Sequence, residues 1–346
     1  MRIAIANDLP IAVEAMRRVL ITVPSYELAW VATDGLEAVT KCAVDTPDLI
    51  LMDLIMPNLD GVETTKQIMS SSPCAILMVT ASVNGNASKV FAAMGYGALD
   101  AVNTPILGLT GQSTGGLSLL AKIATIAKLI GKSDRKNPLG YPPAIDPWPR
   151  NPTTLPPLIA IGASAGGPQA LVTLLGGFPP DLKAAVVIVQ HMDAQFAPNL
   201  ATWLNQQSPL PVSIAMGGNR LEMGKVLLAG TNDHLVLGAD LALHYTTHPE
   251  DYVYRPSVDV LFDSLVKNWL GKGVGVLLTG MGRDGAKGLL ALRSAGWPTI
   301  AQDQATSVVY GMPKVAAEIG AATQILPLPS IAAACVRLLR NAEADP

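Results

Sequence analysis

Cysteine is almost missing from this chain. Cys42, Cys74 and Cys335 are the only three in 346 residues. They are far apart in sequence and odd in number, which excludes a disulfide framework and reads as small core residues in a reducing compartment. Charge is sparse as well. Asp, Glu, Lys and Arg together make up 15% of the chain, and the net charge of −3 provides no basic footprint for nucleic acid. No uncharged apolar stretch reaches the ~18 residues that a membrane span needs. The first strand-like run meets Asp8 too early for a signal peptide. A cytoplasmic protein that inserts in no membrane and binds no nucleic acid is expected. Histidine is scarce too: any imidazole chemistry must use His191, His234, His244 or His248. No repeat recurs at the roughly 20–50-residue period of solenoids.

What the chain does have is apolar mass, 49% of residues, enough for two buried cores. One segment divides it. Pro138, Pro142, Pro143, Pro147, Pro149, Pro152, Pro156 and Pro157 fall within one short stretch. Proline at that density forbids helix or central strand and favours an extended spacer. Domains are therefore expected at 1–130 and 158–346, with a linker over 131–157.

Both halves alternate apolar runs with helical patterns, the signature of parallel sheets with right-handed crossovers. In the first half, strands are expected at Ile3–Ala6, Leu28–Ala32, Leu49–Leu51, Ala75–Val79 and Ala98–Val102. Helices are expected near 10–22, 35–45, 61–71, 86–95 and 115–130. Five strands suit a flavodoxin-like domain with its site at the carboxyl ends of the strands. In the second half, strands are expected at Leu158–Gly162, Ala184–Gln190, Lys225–Ala229, Val274–Thr279 and Thr299–Ala301, with an antiparallel hairpin inserted over 235–254. The fold class is α/β: two doubly wound parallel-sheet domains, the second Rossmann-like.

In the first half, Asp8 follows strand one, Asp53 follows strand three and Thr80 closes strand four. Two carboxylates at adjacent strand ends can hold a hard divalent cation, and a carboxylate beside such an ion can accept a phosphoryl group. Each aspartate taken alone reads more readily as a helix cap or turn former.

In the second half, Leu158–Gly167 places Ser164 in a Gly-x-Ser-x-Gly setting directly after an apolar strand. Such a strand–turn–helix corner holds a hydroxyl out at the top of a sheet. Serine needs a base, and the base needs an orienting carboxylate. His191 ends a second strand 27 residues later, the length of one strand–helix–strand unit. His234, in a loop after another strand, is the fallback base. His244 and His248 lie in the hairpin with no third ligand at metal-site spacing. Asp284 is the expected orienter, placed on the first turn of a helix after Leu277–Thr279, with the backbone N–H of Met281 as oxyanion donor. Asp284 also reads as a plain helix cap. Gly280-x-Gly282-x-x-Gly285, with Asp303 further on, has the spacing of a dinucleotide fingerprint, but that reading leaves the Ser164 corner unexplained. An α/β-hydrolase is disfavoured because here the histidine precedes the best acid.

Residues 1–125, above all Met-Asp-Leu-Ile-Met-Pro-Asn-Leu-Asp-Gly (52–61), resemble a response-regulator receiver domain. The resemblance implies Asp53 as phospho-acceptor, Asp8 and the Ile55 carbonyl as Mg²⁺ ligands beside it, and Thr80 as phosphate sensor. Two positions depart from the family pattern: Asn7 replaces a second acid, and Thr104 replaces a lysine. The first implies weaker Mg²⁺ binding, the second the loss of a charge that would hold the phosphoryl oxygens, and together slower or less effective phosphorylation.

Residues 158–340 resemble the CheB-type chemotaxis protein-glutamate methylesterases. The matching stretches are 161–168, Gln-His-Met (190–192), Arg-Pro-Ser-Val-Asp (255–259), 278–286 and 305–313. Asn7, Thr104 and Ser-Val-Asn-Gly-Asn (82–86) resemble the Wsp-type branch, whose arrays feed a diguanylate cyclase. The likeness implies Ser164 as nucleophile, His191 as base, Asp284 as orienter and Met281 as oxyanion donor, with no cofactor at the hydrolase site. It implies as partners a methylated chemoreceptor and a chemotaxis-type sensor histidine kinase, deamidation of receptor glutamines by the same steps, and a receiver that covers the cleft until phosphorylated. Arg255 and Arg283 would face an acidic receptor surface, or read equally as solvated or structural arginines. A phospho-regulated adaptor without turnover is the alternative, and assay of methanol release separates the two.

Overall fold

The structure is a computed structural model that describes residues 1–81, 85–107, 113–131 and 155–341. Most of the expected linker and residues 82–84 of the Ser-Val-Asn-Gly-Asn run lie outside the described residues. Two compact units, Met1–Arg135 and Lys136–Pro346, divide the chain.

The first unit carries a parallel sheet of β1 (Arg2–Ala6), β2 (Glu27–Ala32), β3 (Leu49–Asp53), β4 (Ala75–Thr80) and β5 (Asp100–Asn103), in the order β2-β1-β3-β4-β5. The central strands are buried along almost their whole length, as expected of a parallel sheet covered on both faces. Helices α1 (Pro10–Ile21), α2 (Gly35–Val44), α3 (Gly61–Ser71), α4 (Ala87–Gly95) and α5 (Gly116–Leu129) connect or follow them. Their starts follow local chemistry. Pro10 opens α1, the Asp34 side chain accepts from the Glu37 amide, and Asp60 accepts from the Val62 and Glu63 amides. Strand five begins two residues later than expected, because Gly97 turns the chain at φ 116° and Ala98 bonds back to the Ala93 carbonyl. A small antiparallel pair, β6 (Ile106–Leu107) and β7 (Ser113–Thr114), is too short to leave a periodic signal.

The second unit holds a seven-stranded parallel sheet. Its elements run β8 (Leu158–Ala163), α6 (Gly167–Gly176), β9 (Ala185–Gln190), α7 (Ala197–Gln207), β10 (Val212–Ile214), β11 (Val226–Leu228), β12 (His234–Leu237), β13 (Leu243–Thr246), α8 (Val258–Asn268), β14 (Gly273–Leu277), α9 (Ala286–Ser294), β15 (Thr299–Gln302), α10 (Met312–Glu318), β16 (Gln324–Leu326) and α11 (Leu328–Asn341). The sheet order is β10-β11-β9-β8-β14-β15-β16. The outer strands β10 and β16, three residues each, escape the periodicity. The inserted hairpin is β12–β13, shorter than the expected 235–254. His234 starts β12 rather than closing a loop, because it pairs with Thr246. Among the described residues, no helix is long and apolar enough to cross a membrane.

The strand order reverses at β8. The chain leaves β8 for β9 on one side and returns as β14 on the other. A crevice therefore opens outside the carboxyl end of β8, the switch point where doubly wound sheets place their sites. Strands β8 and β9 pair from Leu158↔Ala185 to Ala163↔Gln190, and β14 pairs with β8 up to Leu277↔Gly162. Helix α8 seats directly on this junction. A Cβ at Gly162 would collide with Val258 Cγ1 and lie 3.0 Å from Leu277 Cδ1. Gly162→Val is expected to cost about 1–3 kcal/mol by overpacking, measured as a fall in the denaturant midpoint of the second unit. An unchanged midpoint would show that α8 is not held against β8 as closely as this.

Candidate active site

Ser164 stands one residue past β8 and is 2% exposed. The corner around it is built from three strand ends. Its amide donates to the Thr279 carbonyl beyond β14 at 3.1 Å. Gln190, the last residue of β9, donates through Nε2 to the Ser164 and His191 carbonyls at 2.9 and 3.0 Å. The Thr279 hydroxyl donates to the Ala165 carbonyl at 2.9 Å and accepts from the Val309 amide at 2.9 Å. Two glycines are required by contact. A Cβ at Gly167 would collide with Gln190 Oε1, and one at Gly280 would collide with Met312 Sδ and lie 2.7 Å from Ser164 Cβ. Gly280 therefore lets the turn after β14 lie against the serine, and Met281 follows directly.

His191 stands one residue past β9, and its amide donates to the Ala163 carbonyl at 3.0 Å. Its Nε2–H donates to Asp284 Oδ2 at 2.6 Å, with the two side chains 2% and 9% exposed. The other nitrogen, Nδ1, is buried and has no hydrogen-bond partner among the described residues. The Tyr254 ring stacks on the imidazole, centroids 3.7 Å apart and planes 15° apart.

Asp284 does not lie on the first turn of its own helix. It precedes Gly285, whose φ of 85° makes it the left-handed N-cap of α9. The carboxylate reaches instead to the start of α8. It accepts from Ser257 Oγ at 2.7 Å, the Val258 amide at 2.7 Å and the Asp259 amide at 3.2 Å. Burial by itself would raise this carboxyl, but the His191 hydrogen bond and charge, the Ser257 hydroxyl and the Val258 amide hold it below its ordinary value. Neighbouring Asp259 goes the other way. Burial and the Asp284 charge push it well above the carboxylate range, although it accepts from the Gly288 amide at 2.7 Å.

The fallback base is a support. Buried His234 accepts from the Ser257 amide at Nδ1 (3.1 Å) and donates through Nε2 to the Pro249 carbonyl (3.0 Å), and burial lowers its pKa. His244 faces Asp240 on the surface, and His248 is exposed near Glu250. No metal-holding cluster of three or more His, Cys, Asp or Glu occurs among the described residues. Asp303 accepts from the Thr306 amide and hydroxyl, so it caps its own turn. Arg255 and Arg283 are both exposed. Sequence reasoning missed Tyr254, Ser257, Gln190 and Thr279 as parts of the site. Only Ser257 left a signal, as a capping residue ahead of an amphipathic helix.

In the first unit, Asp53 ends β3, and Asn7 and Asp8 follow β1. Asn7 is buried and donates through Nδ2 to Asp53 Oδ2 at 3.1 Å, while its Oδ1 accepts from the Leu9 amide. Burial pushes the Asp53 carboxyl up to about 6, against the Leu54 and Ile55 amides, with the Asp8 charge adding to the rise. The Thr80 hydroxyl, at the end of β4, accepts from Asn86 Nδ2 at 3.2 Å, and the Thr104 amide donates to the Thr80 carbonyl. The carboxylates of Asp8 and Asp53 supply the hard oxygen donors that a small divalent cation prefers. Ile55 is exposed in the loop after β3. Cys42 and Cys74 are distant in sequence but their sulfurs are 4.0 Å apart, and Cys74 is only half-buried rather than core.

Comparison with known proteins agrees with this division. Residues 159–335 match the CheB methylesterase family, and residues 3–108 match the response regulator receiver domain. A Burkholderia thailandensis protein named protein-glutamate methylesterase/protein-glutamine glutaminase 4 is 56% identical over 341 residues, covering 99% of this chain and 98% of its own. A Pseudomonas aeruginosa protein, number 3 of the same name, is 53% identical over 96% of this chain and 98% of its own. The crystal structure of the Thermotoga maritima CheB methylesterase catalytic domain aligns at a TM-score of 0.51 and 32% identity, covering 54% of this chain and all of that one.

The Asp53 carboxyl gives a pH prediction. Folding lifts it from its ordinary value of 3.8 to about 6. Between those values the native state holds a proton that the unfolded chain has released, so stability falls as pH rises through that window and stays lower above it. Asp53→Asn should therefore stabilise the metal-free first unit at pH 7.5 by about 1–2 kcal/mol after allowance for partial exposure. The gain should vanish at pH 3.5. Hydrogen exchange of the β3 amides measures both, and an equal gain at the two pH values would contradict the assigned cause.

Proposed function

The chain belongs to the CheB methylesterase family, and on that premise we propose that Ser164, His191 and Asp284 hydrolyse glutamate γ-methyl esters on a chemoreceptor under control of the receiver domain. The observation that carries this reading is the buried 2.6 Å hydrogen bond from His191 Nε2 to Asp284. It fixes the tautomer: with the proton on Nε2, the Nδ1 lone pair is free to act as base. Ser164 Oγ attacks the ester carbonyl as Nδ1 takes its proton. Asp284 stays ionised and holds the imidazolium through Nε2–H. The Met281 amide, in the turn that Gly280 seats against the serine, donates to the oxyanion. The proton passes from Nδ1 to the departing methanol. A water molecule, deprotonated by Nδ1, then cleaves the acyl-enzyme and leaves a carboxylate. A glutamine side chain in the same place would lose ammonia by the same steps. None of these steps needs a cofactor.

In the receiver, Asp53 is the phospho-acceptor, with a chemotaxis-type histidine kinase as donor. Asp8, Asp53 and the Ile55 carbonyl would hold Mg²⁺, which when bound neutralises charge on the transferred phosphoryl group. Thr80 would sense that group. Asn7 supplies an amide where a third carboxylate would strengthen the ion's site.

Ser164→Ala should leave the fold intact and reduce methanol release from methylated receptor to background, and Asp284→Asn should reduce it by about 10³–10⁴-fold. Turnover retained in the Ser164 variant would overturn the assignment. For the receiver, Asn7→Asp should tighten Mg²⁺ binding, measured by calorimetry, and speed labelling of Asp53 by kinase and radiolabelled ATP. Equal affinity and equal labelling would show that Asn7 is not what weakens the site. Repeating the methanol assay with and without a phosphoryl donor measures the control.

A further inference from the structure

The general base proposed above is a ring, and a ring has more freedom than one hydrogen bond removes. The χ2 torsion of histidine is a broad sp³–sp² rotor without sharp wells. Among the described residues, the His191 side chain makes one hydrogen bond, at Nε2, to Asp284. That bond fixes one corner of the imidazole and leaves its plane free to tilt. The tilt matters because Nδ1, the nitrogen with no partner, is on the opposite side of the ring from the fixed corner. A small rotation redirects the Nδ1 lone pair while the Asp284 bond survives.

The Tyr254 ring opposes this motion. It lies face to face on the imidazole at 3.7 Å with planes only 15° apart. A nearly parallel stack resists tilting in either direction, since one edge must then press into the phenol while the other loses contact. Tyr254 is itself anchored close by. Three residues on, Ser257 is fixed through its hydroxyl to Asp284 and through its amide to His234. One short strap, 254–257, therefore holds both members of the pair: Asp284 by its edge and His191 by its face. The phenol also covers one face of the imidazole from water, and an electron-rich ring face favours the imidazolium that forms during proton transfer.

We propose that Tyr254 is a positioning residue for the ester hydrolysis, setting the plane of His191 so that Nδ1 addresses Ser164. The proposal rests on the catalytic reading above, since without His191 as base the stack has no catalytic consequence. The aromatic face matters and the hydroxyl does not.

The test uses the full chain and two substitutions. Tyr254→Leu keeps an apolar cover without a planar face, and Tyr254→Phe keeps the face without the hydroxyl. Three measurements are made: methanol release from methylated receptor, phosphonylation of Ser164 by a small alkyl fluorophosphonate that needs no receptor docking, and the proton resonance of His191 Nε2–H. Tyr254→Leu is expected to lower kcat and the phosphonylation rate by about 10- to 100-fold, with KM within about twofold, and to broaden the Nε2–H signal. Tyr254→Phe should restore both rates to within about twofold of the parent and recover the signal, as expected if stacking and not the hydroxyl acts. Parental rates in Tyr254→Leu, or equal loss in both variants, would overturn the proposal. Ser164→Ala, run alongside, keeps the two claims apart. If it retains turnover the catalytic reading itself fails; if it is inactive while Tyr254→Leu is normal, only the stacking role fails.

Discussion

A carboxylate kept ionised in a nearly water-free crevice is the constraint around which the catalytic unit is arranged. An isolated buried charge is expensive and would normally neutralise itself by taking a proton. Asp284 avoids this because four donors converge on it: the His191 ring, the Ser257 hydroxyl and the amides of Val258 and Asp259. The last two open α8, so the positive end of that helix also faces the charge. This makes the seating of α8 a catalytic matter. Gly162 lets Val258 approach β8, and His234 holds the Ser257 amide in place. Residues that never meet a substrate thereby set the charge that keeps His191 in one tautomer.

Two aspartates share this pocket, and their carboxyls shift in opposite directions. Asp259 is buried beside Asp284 but receives fewer donors, and the Asp284 charge repels a second anion. Burial and that repulsion raise its carboxyl, which accepts from the Gly288 amide. Divergent environments for two neighbouring acids are how a fold assigns them different roles. In the proposed mechanism Asp284 orients the imidazole, while Asp259 ties the start of α8 to α9.

Much of this was legible in the chain before any coordinates. Alternating apolar runs and helical patterns specify parallel sheets, and the 27-residue spacing of Ser164 and His191 matches one crossover, which the register Ala163↔Gln190 explains. The serine corner was legible because glycines at fixed offsets have few other uses. What was hidden depends on contacts distant in sequence. Asp284 looked like a cap of the helix beside it, yet it serves a helix that starts 26 residues earlier. His234 looked like a second base because its loop is polar, yet strand pairing with Thr246 buries it. Tyr254 carries no local signal, since an aromatic residue before Arg-Pro reads as ordinary surface. Strands β10 and β16 were invisible because three residues do not establish a period of two.

The two units each place an aspartate at or beyond the carboxyl end of a central parallel strand, and give it opposite electrostatics. Asp284 has four donors and is held below its ordinary range. Asp53 has the Leu54 and Ile55 amides and the Asn7 amide group, and rises to about 6. The difference follows from what each proposed role requires. An orienting carboxylate acts while no ion is near, so the protein must supply all of its stabilisation permanently. A phospho-acceptor works with a cation beside it. Donors strong enough to hold it ionised in the cation's absence would occupy the oxygen lone pairs that the cation and phosphoryl group must reach. A poorly stabilised carboxylate beside Asp8 is therefore a site completed by its ligand. Asn7 occupies an intermediate position. Its Nδ2–H donates to Asp53 where a carboxylate would repel it, which stabilises the empty site and reduces the demand for the ion.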